Sequence, residues 1–333
     1  MISSFSLVVV IVIIALLFDF VNGFHDAANA IATVVVTRTL TPGQAVLMAG
    51  LANFIGYFTF GVAIAKTVGK GIVHIDHVTL TVVLAALCGA IIWNIITWLI
   101  GLPTSSSHAL IGGLVGSGVA AAGVHVVIWS GVLKIVLFIV FAPFIGMLGA
   151  VIFTLVIFWI FRRASYSGSS RIFKYMQLVS SLWYSVGHGT NDAQKTMGVI
   201  ALALFTGGAT QTFELHGWVV FSCYTAIALG TIFGGWRIVK TMGTKISKIH
   251  AMEGFCAESA AALVLLGTAH FGIPVSTTHV IAGAIMGVGT VEQAAKVRWI
   301  TARKILYAWL LTIPVAAFIA AISYFALAPV VGK

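Results

Sequence analysis

Long apolar stretches govern what this 333-residue chain can become. They fall at 4–37, 43–65, 79–122, 128–160, 176–206, 217–235, 254–290 and 304–328. Several approach or exceed the roughly 20 residues that a membrane-spanning helix requires. Backbone polar groups in lipid have to be satisfied inside the chain, so only helices or closed barrels can span. The ten-residue alternating segments of a membrane barrel are absent. The fold class is therefore an all-α polytopic membrane protein. Only 8% of the residues are charged, against roughly 25% in soluble domains, and no separate soluble domain is visible.

The charges that do occur are grouped. The chain has 18 Lys and Arg against 8 Asp and Glu, a net charge of +10. Arg162, Arg163, Arg171 and Lys174 form one group, Arg237, Lys240, Lys245 and Lys248 a second, and Lys296, Arg298, Arg303 and Lys304 a third. Short basic links between apolar segments are the mark of cytoplasmic loops, so the charge orients the chain in a bilayer and gives no sign of a nucleic-acid partner. Cys88, Cys223 and Cys256 lie far apart, with no metal or disulfide spacing. The segment "MISSFSLVVVIVIIALL" lacks a basic leader region and a small-residue cleavage site, and reads as a retained first helix.

The chain repeats itself. "GLPTSSSHALIGGLVGSG" at 101–118 returns as "GIPVSTTHVIAGAIMGVG" at 272–289, at an ungapped offset of 171. "NGFHDAANAIATVV", with Asp26, is answered by "GHGTNDAQKTMGVI", with Asp192, at an offset of 166. Each half reads as a helix interrupted at an Asp motif, an apolar segment, a Pro-Ser-His helical hairpin that re-enters the membrane, and a long apolar segment. Re-entrant hairpins give each half an odd number of crossings, which makes the two halves inverted-topology repeats. The expected division is a first repeat at 1–161, a short basic cytoplasmic linker at 162–175 and a second repeat at 176–333. Both termini are then expected outside, with 237–250 and 296–304 on the cytoplasmic side. Lys66, Lys70 and Lys134 fall outside, against the charge rule.

Paired interrupted segments point to a transport site. Pro103 and Pro274 break the helix, and the hydroxyls that follow can cap a new one. A helix N-terminus offers free N–H groups and a positive dipole end to an anion. Two such ends, with Ser105, Ser106, Ser107, Ser276, Thr277 and Thr278, can share a tetrahedral anion; one hairpin makes half a cage. The bland alternative is that these hydroxyls only cap helices. Asp26 and Asp192 are the sharper signal, because carboxylates at membrane depth are costly. Beside an anion they need a proton, a cation or a hydrogen donated by the substrate. Protonated phosphate can donate one and sulfate cannot, which favours phosphate. His108 and His279 read as hairpin scaffold. His25 and His188 are placed to relay protons. Lys195 can balance Asp192 or meet an anion, and Glu258 is a membrane-depth acid without a counterpart in the first half. An intramembrane serine hydrolase would need one committed nucleophile, whereas every element here comes twice; the chain is not expected to be an enzyme. A passive anion channel is the remaining class, and it does not call for paired carboxylates.

At "NGFHDAANA" (22–30), "GLPTSSSHALIGG" (101–113), "HGTNDAQK" (188–195) and "GIPVSTTHV" (272–280) the chain resembles the inorganic phosphate transporter (PiT) family, which includes some sulfate permeases. The resemblance spans nearly the whole chain. It implies that Asp26, Asn29, Asn191 and Asp192 join the ion and substrate site and that the Ser/Thr hairpins contact phosphate. It also implies a homodimer in a cell membrane, here a bacterial inner membrane, and permits phosphate to travel as a neutral metal–phosphate complex. The family's usual Gly-Ala-Asn-Asp becomes Gly-Phe-His-Asp in the first copy, so His25 replaces an amide oxygen that a hard cation would favour. The expectation is therefore uptake of inorganic phosphate by proton symport, with sodium the weaker reading, sulfate the alternative substrate, and no cofactor or resident metal.

Overall fold

In the computed structural model, residues 3–58, 61–163 and 166–332 are described. They form α1 (Ser4–Val36), α2 (Pro42–Ile55), α3 (Ala63–Gly71), α4 (Leu80–Ile100), α5 (Ser106–Ala122) and α6 (Trp129–Phe161). The second half supplies α7 (Tyr166–Thr206), α8 (Gly217–Phe233), α9 (Trp236–Lys240), α10 (Ala251–His270), α11 (Thr277–Glu292) and α12 (Trp299–Val331). The two series correspond element for element. Among the described residues the only β pairing is an isolated bridge between Val73 and Val127.

Five helices, α1, α4, α6, α10 and α12, are long and apolar enough to cross a membrane. Two bent pairs raise this to seven: α2 with α3, axes 87° apart, and α8 with the turn that follows it, 60° apart. The longest helix, α7, is not among the five. Gln177, Ser180, Ser181, Ser185, His188, Asn191, Asp192 and Lys195 interrupt its apolar run, and all of them are buried by neighbouring helices rather than shown to lipid.

The break expected at each Asp motif is not there. α1 runs unbroken through Asp26 and α7 through Asp192. The glycine and polar residues that resemble helix breakers do other work. A Cβ on Gly23 would collide with the carbonyl oxygen of Ile227 in α8, and one on Gly189 with Asn53. These glycines let helices approach, as small residues do in membranes, while the Asp and Asn side chains face the hairpins. The chain is also helical from Tyr166 onward, inside the stretch expected to be the linker; Ala164 and Ser165 of that stretch lie outside the described residues.

The hairpins are built alike. α4 ends at Gly101, φ 69°, where the Leu102 N–H returns to the Thr97 carbonyl at 2.9 Å. α10 ends at His270 and the chain turns at Gly272, φ 65°, where the Ile273 N–H returns to the Thr268 carbonyl at 3.0 Å. This is the left-handed closure that glycine permits at a helix end. An extended Pro-containing stretch follows, and Ser105 and Ser276 then cap α5 and α11, each accepting the N–H three residues on at 3.3 Å.

The hairpins open toward opposite ends of the molecule. α4 starts beside the C-terminus, where Thr81 donates to the Gly332 carbonyl, and α5 ends near Tyr324 and Ala328 of α12. α10 and α11 start and finish at the other end, where Glu253 and Glu292 line one cleft with Ser170, Phe173 and His250. The basic links gather there too, with the Arg298 N–H donating to Ile246 at 2.9 Å. α5 packs along α12, and α11 along α6.

Candidate functional site

The two hairpin tips meet in the middle of the fold. Thr278 Oγ1 donates to the Thr104 carbonyl at 3.1 Å, and the His108 and His279 rings lie 4.8 Å apart. His279 also stacks on Trp309, centroids 3.9 Å apart, and Trp309 Nε1 donates to the Pro103 carbonyl at 2.9 Å. Ring contact among these groups, with the backbone bond at Pro103, holds the tips together.

α1 and α7 bring their aspartates to this junction. Ser106 Oγ lies 2.8 Å from Asp26 Oδ2, and Thr277 Oγ1 lies 3.2 Å from Asp192 Oδ2. Ser106 and Thr277 are repeat partners, as are the two acids. The next hydroxyl on each hairpin crosses to the opposite half. Thr278 accepts from Asn29 Nδ2 at 2.8 Å, and Ser107 accepts from Lys195 Nζ at 2.5 Å. Asn29 and Lys195 each stand three residues after their Asp, so repeat-related positions make repeat-related contacts.

Each carboxylate already has nitrogen partners. His25 Nδ1 lies 2.7 Å from Asp26 Oδ1, with its Nε2 3.0 Å from Thr97 Oγ1. Lys195 Nζ lies 2.5 Å from Asp192 Oδ1 and donates to the Val275 carbonyl at 2.9 Å, so its three N–H groups are all used. His188 Nε2 lies 3.2 Å from Asp192 Oδ2. Ligand-type atoms of Asp26, His188 and Asp192 fall within 4.8 Å of one another, close enough to hold one cation between them. No side chain of the cluster is more than 5% exposed, so the site is occluded from both ends.

Most of the residues singled out from the sequence converge here, but they do not act alike. Ser105 and Ser276 spend their oxygens on capping. Asn191 turns its amide to the Gly187 and Leu265 carbonyls, at 2.9 and 3.0 Å, and ties α7 to α10. Pro103 and Pro274 sit in the extended stretches before the helices. Several contributors carry no local signal in sequence. Asn22 Oδ1 lies 2.5 Å from Ser106 Oγ, Thr104 lies 3.0 Å from Thr97, and Tyr184 donates to the Thr277 carbonyl at 3.2 Å. Only the spacing of Asn22, four residues before Asp26 as His188 is before Asp192, could have drawn attention to it. Glu258 lies apart from the centre, with Thr33, Ser180 (2.6 Å) and Gln177 (3.4 Å) bonded to it.

The sequence profile of the phosphate transporter family matches residues 22–320. The chain belongs to the phosphate transporter family. Its relatives agree. A probable low-affinity inorganic phosphate transporter of Rhizobium meliloti is 51% identical over 324 residues, covering 97% of each chain. A Bacillus subtilis protein of the same description is 44% identical over 327 residues, covering 96% of this chain and 97% of its own. A solved structure described as "The sodium-dependent phosphate transporter" superposes with a TM-score of 0.88 at 26% identity, over 98% of this chain and all of that one. The family and these relatives are transporters, not enzymes, which disposes of the serine-hydrolase alternative.

Proposed function

We propose that this member of the family takes up inorganic phosphate across the cell membrane together with protons, by alternating access of two inverted repeats. One observation carries the reading of the site: two motif carboxylates, one from each half, sit beneath two helix N-termini whose hydroxyls already point at them. At each tip the first intrahelical bond reaches back to the capping Ser, from Ala109 to Ser105 and from Val280 to Ser276. Of the N–H groups before it, those of His108 and His279 go to the Ser caps, and the earlier ones have no intrahelical acceptor. Phosphate arriving between the tips meets these donors and the hydroxyls of Ser106, Ser107, Thr277 and Thr278. Lys195 is the one ammonium of the cluster, and it reaches the anion by giving up one of its three bonds, to Ser107, Asp192 or the Val275 carbonyl. A phosphate OH can donate to Asp26 or Asp192, which sulfate cannot do.

Proton coupling is supported by what already occupies the carboxylates. Lys195 stands where a soluble cation would balance Asp192, and His25 stands against Asp26. Hard cations favour oxygen ligands, and here His25, His188 and Lys195 put nitrogen against both carboxylates. The opposite opening of the hairpins supports inversion, and the basic links at one end support a cytoplasmic face there, with both termini outside. Exchange of access then requires the two tips to part from the aspartates in turn.

A second reading, sodium symport, is favoured by the likeness to a solved transporter described as sodium-dependent. Uptake of labelled phosphate into proteoliposomes separates the two. A pH gradient alone should drive accumulation, sodium should add nothing, excess sulfate should not compete, and Asp26→Asn and Asp192→Asn should abolish it. Accumulation driven only by sodium would replace the proton reading, and flux that needs no gradient and survives both substitutions would return the channel class.

A further inference from the structure

One buried acid is left unused by this site. Asp19 lies on α1, two helical turns before Asp26, on the face that also carries Asn22, Asp26, Asn29 and Thr33. Seven residues of helix separate the two acids by about 10 Å along the axis. Asp19 is fully buried, and neither carboxylate oxygen has a hydrogen-bond partner. Thr196 Oγ1, on α7, is likewise buried and unpartnered. Asn22, Thr196 and Cys223 line the carboxylate without closing a bond to it. The titratable groups that face it are Asp192 on α7 and Cys223 and Tyr224 on α8. The acid that faces it, Asp192, is another carboxylate and already has Lys195 as its partner.

An ionised carboxylate in such surroundings is costly, and a proton removes the cost. A structural acid could be tolerated there permanently neutral, but two features argue for a working one. It adjoins the paired carboxylates through Asn22, whose Oδ1 meets the same Ser106 hydroxyl as Asp26 does. It also exists once. The position paired with it in the second half is Ser185, whose hydroxyl is satisfied by the Ser181 carbonyl at 2.8 Å. Parts that come in pairs can exchange roles as access alternates, and Asp19 has no counterpart with which to exchange.

We propose that Asp19 is a second ion site, a carboxylate that binds the coupling proton on the side of the chain termini from the paired aspartates. One proton from the aqueous phase adds to the carboxylate, and the same proton leaves toward the opposite phase; no other bond changes. The site rests on the proton-symport reading and deepens it.

The test uses Asp19→Asn and Asp19→Glu in proteoliposomes, with labelled inorganic phosphate. Phosphate exchange at equal pH on both sides needs no net proton movement, whereas accumulation under a pH gradient does. Asp19→Asn should retain exchange and lose accumulation by about ten-fold or more, the scale of a broken coupling. Asp19→Glu should retain accumulation with a shifted pH midpoint. Wild-type accumulation in Asp19→Asn would make Asp19 a permanently neutral acid and end the proposal. So would loss of accumulation in Asp19→Glu with exchange intact, because shape alone would then explain the effect. If Asn abolishes exchange as well, Asp19→Glu decides: an unmoved midpoint counts against the proposal and a moved one supports it. A wild type that ignores the pH gradient would remove both readings, while a gradient-driven wild type matched by Asp19→Asn removes only this one.

Discussion

Asn29 and Lys195 hold equivalent places in the two halves, and each reaches across to the other half's hairpin. Asn29 Nδ2 donates to Thr278 Oγ1 at 2.8 Å, and Lys195 Nζ to Ser107 Oγ at 2.5 Å. The geometry is shared and the charge is not. The second half has placed a fixed cation where the first has a neutral amide.

That difference predicts how Lys195 variants behave. Lys195→Met leaves Asp192 short of its cation, and losing one member of a buried pair costs roughly 3–5 kcal/mol. The expected result is a sharply lowered melting temperature and no uptake. Lys195→Asn makes the two halves alike, and its phosphate uptake is expected to acquire stimulation by sodium, read as the uptake ratio with and without a sodium gradient. Sodium indifference in a folded Lys195→Asn would count against Lys195 as the built-in cation.

His25→Asn addresses the same question from the first half. It removes the ring that lies 2.7 Å from Asp26 and 3.0 Å from Thr97 and supplies an amide oxygen. Uptake driven by a pH gradient should fall, by about ten-fold on the scale of a lost proton-transfer or coupling group. Fluorescence-detected melting should show the fold retained. An unchanged pH response would mean that His25 only fills space beside Asp26.

The hydroxyls should separate into two classes. Ser105→Ala and Ser276→Ala remove caps, at about 1 kcal/mol each, and should lower the melting temperature while changing the KM for phosphate little. Ser107→Ala and Thr277→Ala leave the caps intact and should raise KM. Parallel melting and uptake curves for the four variants check this, and a rise in KM confined to the cap variants would reverse the assignment.

Glycine spacing makes a packing prediction. A Cβ on Gly116 would strike the Ala317 carbonyl of α12, and one on Gly283 the Pro143 carbonyl of α6. Neither backbone can step aside cheaply, so Gly116→Ala and Gly283→Ala should destabilise by about 1–3 kcal/mol, as overpacking does. Gly267 faces open space, and Gly267→Ala should be tolerated. Equal melting temperatures for all three would show that these helices pack more loosely than described.

How far the sequence carried depended on how local each signal was. Pro103, Ser105, Pro274 and Ser276 announce a break and a new cap within a few residues, so the hairpins were legible. Asp26 and Asp192 were legible as well, because charge is rare in this chain. The Asp motifs misled about backbone. Gly23, Asn22 and Asp26 look like breakers in isolation, yet α1 stays helical because α8 needs the missing Cβ and the hairpin needs the side chains. Thr97, Thr104 and Tyr184 could not be found by inspection, since ordinary polar and aromatic residues gain meaning only from what faces them, and Asn22 could be found only by its spacing from Asp26. Asn191 does two things at once: its Nδ2 ties α7 to α10, and its buried Oδ1 is left without a partner.

The exchange of partners between halves bears on how the protein is made. α5 lies along α12 and α11 along α6, so neither half can complete its own packing. The glycine face of α5 waits for the last helix of the chain, which begins at Trp299, some 177 residues after α5 ends at Ala122. At ~5–20 residues per second of synthesis, that face goes without its partner for roughly 10–35 s. During that interval the nascent first half is a half-lined groove in the bilayer, open to any helix with small residues, and a ribosome stalled before α12 would leave it so.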